Sequence, residues 1–178
     1  MESFFGVPAH PLLVHLPVVL LPIAALGVVV MVLKPAWHQR YRWAVLATGV
    51  VATVGAVLAA SAGRDLERLI EAREGEAAEA RWEHHAELGE NARLYAVIFL
   101  VVLAAFVLVP WYLERREDRG KPLSVPNWLT GVLAGLALLA GAASVFTVSQ
   151  AGHTGGKAAW CRYNTPPDCD TEGPAGDD

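Results

Sequence analysis

Four apolar runs without a charged residue, Leu12 to Leu33, Ala44 to Ala62, Leu94 to Leu113 and Leu129 to Ser149, constrain this chain more than any other feature. Each is close to the roughly 20 residues that a helix needs to cross about 30 Å of hydrocarbon. The runs lack the polar alternation of half-buried strands, and in lipid every backbone donor and acceptor must be satisfied within the segment. Hydrophobic residues make up 54% of the 178 positions, too many for a soluble domain of this size once they are gathered into such runs. The predicted fold is therefore all-α: an integral membrane four-helix bundle with spans near 11–33, 43–62, 94–113 and 128–150. These spans form a transmembrane domain over 1–156, followed by an irregular extracytoplasmic tail over 157–178.

The chain starts MESFFGVPAHP, acidic where a cleaved signal peptide would be basic, so the first run reads as a retained span. The net charge of -4 is less informative than the placement of the charges. Lys34, Arg40 and Arg42 follow the first span, and Arg115, Arg116, Arg119 and Lys121 follow the third. An excess of Lys and Arg in short loops assigns both connections to the cytoplasm. Trp37, Tyr41, Trp43, Trp111, Tyr112 and Trp128 cluster at the same ends, where amphipathic rings favour the headgroup level. The expected arrangement is multi-pass, with both termini and the middle loop extracytoplasmic.

The middle loop, Gly63 to Arg93, carries nine acidic residues and five Arg at helical spacing, with Leu66, Leu69 and Ile70 as an apolar stripe. An extracytoplasmic helix or helical hairpin broken near Gly75 is expected there. The segment from Gly152 is rich in Gly, Pro and acid and reads as irregular. Cys161 and Cys169 fall on the oxidising side in this topology, where a disulfide is the expected state. Within the membrane, Thr48, Ala52, Ala56 and Ala60 recur every fourth residue, and Gly131 and Gly135 form a second small-residue pair. Such faces permit close helix approach, within a bundle or in a homodimer. Pro17 and Pro22 each remove an amide donor from the first span and predict a kink.

No Asp, Glu, Lys or Arg lies within a span, which argues against a pump or coupled transporter. The unusual residue is histidine. His10 and His15 frame HPLLVH at the outer start of the first span, His84 and His85 close the charged loop, and His153 follows the fourth span; His38 alone is cytoplasmic. A rise of 1.5 Å per residue sets His15 about 7 Å deeper than His10, a costly depth for an idle polar ring. Imidazole is the common neutral ligand of zinc, copper and iron. Haem needs one or two axial histidines and an apolar pocket, whereas a bare zinc or copper ion needs three or four ligands. His15 and His153 are the leading candidates for a cofactor or metal site, with His10, His85 and His84 in reserve.

GVPAHPLLVHLPVVLLP, with HHAELGENA before the third span and AGHTGG after the fourth, resembles a bacterial domain-of-unknown-function family of four-helix integral membrane proteins. The first-helix signature of that family is HPxxVHFP-like, and a GHxGG-like motif follows its fourth helix. The resemblance covers roughly Gly6 to Gly156 and implies a link with cytochromes, hence a haem or redox role. After Gly156 the chain departs from the pattern: KAAWCRYN stands where a second tail histidine is often found.

The leading expectation is a b-type haem protein transferring electrons at the outer membrane face, an electron carrier or binding subunit rather than an enzyme acting alone. A zinc or copper protein using the same histidines, and a non-catalytic assembly subunit, are the alternatives. Metal-dependent hydrolysis is disfavoured, because the acidic loop has no HExxH-like spacing. The expected partners are the lipid bilayer, a redox protein or quinone at the outer side, and a second copy of the chain. Nucleic acid is not among them.

Overall fold

A computed structural model describes residues 3–4, 7–74, 76–117 and 126–160. After a two-residue antiparallel ladder of β1 (Ser3–Phe4) and β2 (Val7–Pro8), the described chain is helical. The helices are α1 (Ala9–Leu13), α2 (His15–Leu33), α3 (Pro35–Glu74), α4 (Glu76–Glu117) and α5 (Asn127–Trp160). Four helical stretches, Ala9–Leu33, Pro35–Ile70, Trp82–Arg116 and Asn127–Lys157, are long and apolar enough to cross a membrane.

The bundle closes as a ring in chain order. α2 packs on α3, α3 on α4, α4 on α5, and α5 returns to α2, while α1 lies against α3. Inward positions recur at alternating steps of three and four residues: Leu21, Ala24, Val28 and Met31 on α2, and Ala92, Ala96, Phe99, Leu103 and Phe106 on α4. The same steps mark Val45, Gly49, Ala52, Ala56 and Ala59 on α3, and Ala137, Gly141, Ser144, Val148 and Ala151 on α5. This is the seam spacing of helices crossing at a shallow angle. Large residues line α4 and small ones line α3 and α5, so Phe99 and Phe106 fill the space their neighbours leave. The outward surface is apolar in turn: Leu139 is 70% exposed and Phe146 64%. That distribution fits a bilayer as the surrounding solvent.

Three details differ from the expectation. The buried line of α3 includes Ala52 and Ala56 but continues through Ala59, leaving Thr48 and Ala60 only half-buried. The first span is divided at Val14, between α1 and α2. Pro17 has no amide to offer the Leu13 carbonyl and its ring crowds that group, so one bond of the ladder is lost a turn before the proline, while Val14 keeps helical backbone angles; α2 runs on through Pro22. Finally, α5 continues past Gly152 to Trp160, because packing against α4 outweighs the weak helix propensity of the glycines.

The middle loop is made of extensions of α3 and α4. At 1.5 Å per residue, the 40 residues of α3 span about 60 Å, twice the thickness of the hydrocarbon core. The extensions are tied near their base by Arg64 of α3, which pairs with Glu90 of α4; Arg93, one turn along α4, pairs with the same carboxylate from within its own helix. Gly75, Arg119 and Lys121, as well as Cys161 and Cys169 with their expected disulfide, lie outside the described residues.

Candidate functional site

Where the extended helices leave the bundle, a cavity of about 360 Å³ lies between α1, the start of α2, α3, α4 and α5. Its walls are mainly aliphatic and glycine, among them Val14, Leu66, Ile70 and Val148, and Trp82 stands at one side. Four ionisable side chains reach its lining: His10, Glu67, His85 and Arg93.

His10 and His85 meet here, their ring centres 6.0 Å apart and their planes at 80°. Each ring is fixed through Nδ1. His10 Nδ1 lies 2.8 Å from the Ala59 carbonyl oxygen of α3, an acceptor only, so this nitrogen carries the proton and donates it. His85 Nδ1 lies 3.3 Å from Thr154 Oγ1. The Thr154 hydroxyl donates to the Gln150 and Ala151 carbonyls, each at 3.1 Å, so its oxygen is left to accept from His85 Nδ1. With both rings neutral, these hydrogen bonds would leave the lone pair of each imidazole on Nε2, the tautomer that ligates a metal while a backbone carbonyl or hydroxyl orients the ring.

The glycines beside the two rings make this approach possible. A Cβ at Gly155 would stand 2.6 Å from His85 Cε1, and one at Gly63 would stand 3.1 Å from His10 Nδ1. Gly155 is thus the residue of AGHTGG against which His85 packs, and it lies in a helix rather than a turn. Trp82 adds an edge contact to His85, with centres 6.1 Å apart.

The other histidines stand apart from the cavity. His15 is exposed on α2, and its Nδ1 binds the Pro11 carbonyl at 2.8 Å, a local solution to the polarity of its ring. His84 and His153 are exposed, each one residue from a group that does face the site, His85 and Thr154. His38 sits at the other end of the bundle with its ring 5.0 Å from that of Phe106. Among the described residues no three His, Cys, Asp or Glu side chains gather closely enough to hold a metal ion by themselves. Sequence reading did not single out Trp82, Glu67, Arg93 or Thr154, and only the Thr of AGHTGG carried a local signal.

A family of predicted membrane proteins, DUF2231, matches residues 6–164. The chain belongs to this family. The DUF2231 match spans α1 to α5 and so includes both histidines of the cavity. No curated protein and no solved structure matches the chain.

Proposed function

We propose that this protein binds one b-type haem in the cavity between His10 and His85 and carries electrons at the outer face of a bacterial plasma membrane. The observation that carries this reading is the pair itself: two imidazoles anchored through Nδ1, with Nε2 left over, in an apolar cavity. His10 and His85, with ring centres 6.0 Å apart, are the residues that would hold an iron centre between them. A bare zinc or copper ion wants three or four protein ligands, so the pair favours a cofactor that brings its own nitrogen donors.

Haem supplies reversible one-electron exchange when bound. The residues of the chain hold, orient and insulate. The Ala59 carbonyl fixes the plane of His10 and strengthens it as a donor, and Thr154 does the same for His85. Trp82 and the aliphatic walls exclude water, which together with the axial ligands sets the potential. Arg93, at the cavity wall, is paired with Glu90 and would have to share its guanidinium to meet the carboxylate groups of a ligand. The basic ends of the spans support an outer-side position for the cavity, and the electron partner in this reading is an extracytoplasmic redox protein or a membrane quinone.

The test is the reduced-minus-oxidised absorption spectrum of the full chain purified from haem-replete cells. Soret and alpha bands at one haem per chain are expected. Folded, full-length protein that stays colourless under those conditions contradicts the proposal.

A further inference from the structure

The bundle has a second concavity at its opposite end, where the last turns of α2 meet the first turns of α3. It is an open groove of about 320 Å³. Ile23, Val30 and Ala44 form its exposed walls, and Val45 is buried at its floor. A side chain at Gly27 would collide with Val45, since a Cβ there would lie 2.6 Å from Val45 Cγ2; its absence keeps the helices close and the groove hollow. Of the two hydroxyls in the lining, that of Tyr41 stands with Trp37 at the mouth, and that of Thr48 is already spent on the Ala44 carbonyl at 2.9 Å. The trough therefore offers a ligand apolar contact alone.

Its mouth is different. Trp37 and Tyr41 line the groove, and each has a cation over its ring: Lys34 Nζ is 4.5 Å from the Trp37 centre and the Arg40 guanidinium 5.8 Å from that of Tyr41. Among the described residues, neither Lys34 nor Arg40 forms an ion pair, whereas the neighbouring Arg42 is matched by Glu114 at 3.1 Å. Two uncompensated positive charges are thus held beside aromatic rings at the headgroup level, above an apolar trough that opens outward.

We infer that this groove is a binding site for one anionic diacyl phospholipid, its acyl chain along Ile23, Val30 and Ala44 and its phosphate between Lys34 and Arg40. Charge complementarity selects the occupant. Basic pockets between membrane helices recruit anionic headgroups, and charge-assisted bonds to phosphate are among the strong ones. A zwitterionic lipid brings its own cation to the same place. A second copy of the chain meeting this face about a two-fold axis would set Lys34 and Arg40 against their own counterparts.

Native mass spectrometry of the full chain, released from mixed micelles holding equal phosphatidylglycerol and phosphatidylcholine, tests the site. The wild type should retain phosphatidylglycerol at least about fivefold over phosphatidylcholine, and Lys34→Ala with Arg40→Ala should abolish that preference. Ala44→Phe, which fills the trough and leaves every charge in place, should reduce phosphatidylglycerol retention as strongly. Equal retention of the two lipids by the wild type, an undiminished preference in the folded double variant, or undiminished phosphatidylglycerol retention in folded Ala44→Phe overturns the inference. Unfolding temperatures close to that of the wild type identify the variants as folded, and each variant tests the site without the other.

Discussion

The ring of His10, on the first short helix, stands 6.0 Å from that of His85 on α4, and neither ring is secured by its own helix. His10 is held by the α3 carbonyl of Ala59, and His85 by the α5 hydroxyl of Thr154. The pair therefore reports the relative placement of four helices at once. Shifting any of them disturbs a ring, which makes the site sensitive to packing changes that touch no histidine.

Gly155→Ala is the sharpest such change. The added Cβ would lie 2.6 Å from His85 Cε1, so the ring must leave its position, at a cost of about 1 kcal/mol or more in rotamer strain and lost contact. Gly156→Ala meets open space and gains helix propensity, about 1 kcal/mol in the favourable direction. Both substitutions share the propensity gain, so thermal unfolding in detergent, followed by circular dichroism, should show Gly156→Ala raising the midpoint and Gly155→Ala falling clearly below it.

Gly55 has the same role between α2 and α3. A Cβ there would fall 2.5 Å from Leu16 Cβ and 3.2 Å from Pro17 Cδ, neither of which is the free end of a flexible side chain. Gly55→Ala should cost about 1–3 kcal/mol by forcing the helices apart. Gly131→Ala, with nothing within 4 Å, should be neutral or stabilising in the same unfolding measurement.

Ser144 is fully buried on α5, and among the described residues its hydroxyl oxygen has no hydrogen-bond partner. Removing an unsatisfied buried polar group relieves its desolvation penalty and leaves only a small void. Ser144→Ala should therefore raise stability by up to about 1 kcal/mol, whereas Leu103→Ala, in the same core, should lower it by about 2–5 kcal/mol. A marked loss in Ser144→Ala would show that the hydroxyl is satisfied.

The helices were legible because lipid leaves a long apolar run almost no alternative. Their ends were less so: the Glu- and Arg-rich stretches beyond Ala62 and before Leu94 extend α3 and α4, and glycines up to Gly156 remain in α5, since helix ends depend on neighbouring packing. The histidines illustrate the same limit. All five near this end could be named from the sequence, but which of them converge depends on helix rotation. In a continuous helix, residues five apart differ by about 140°, so His10 and His15 do not share a face. Adjacent residues differ by about 100°, which separates His84 from His85 and His153 from Thr154. The groups that hold the two rings, the Ala59 carbonyl and the Thr154 hydroxyl, come from segments distant in the chain, and no local pattern announces them.

The account rests on which histidines hold a cofactor, and the visible spectra of four single variants, purified alongside the wild type from haem-replete cells, address that most directly. His10→Ala and His85→Ala should each lose the Soret band or shift it to that of a five-coordinate iron. His15→Ala and His153→Ala should keep the wild-type spectrum. A wild-type protein without bound haem, or a spectrum that responds to His15 and His153 while ignoring His10 and His85, would contradict the account.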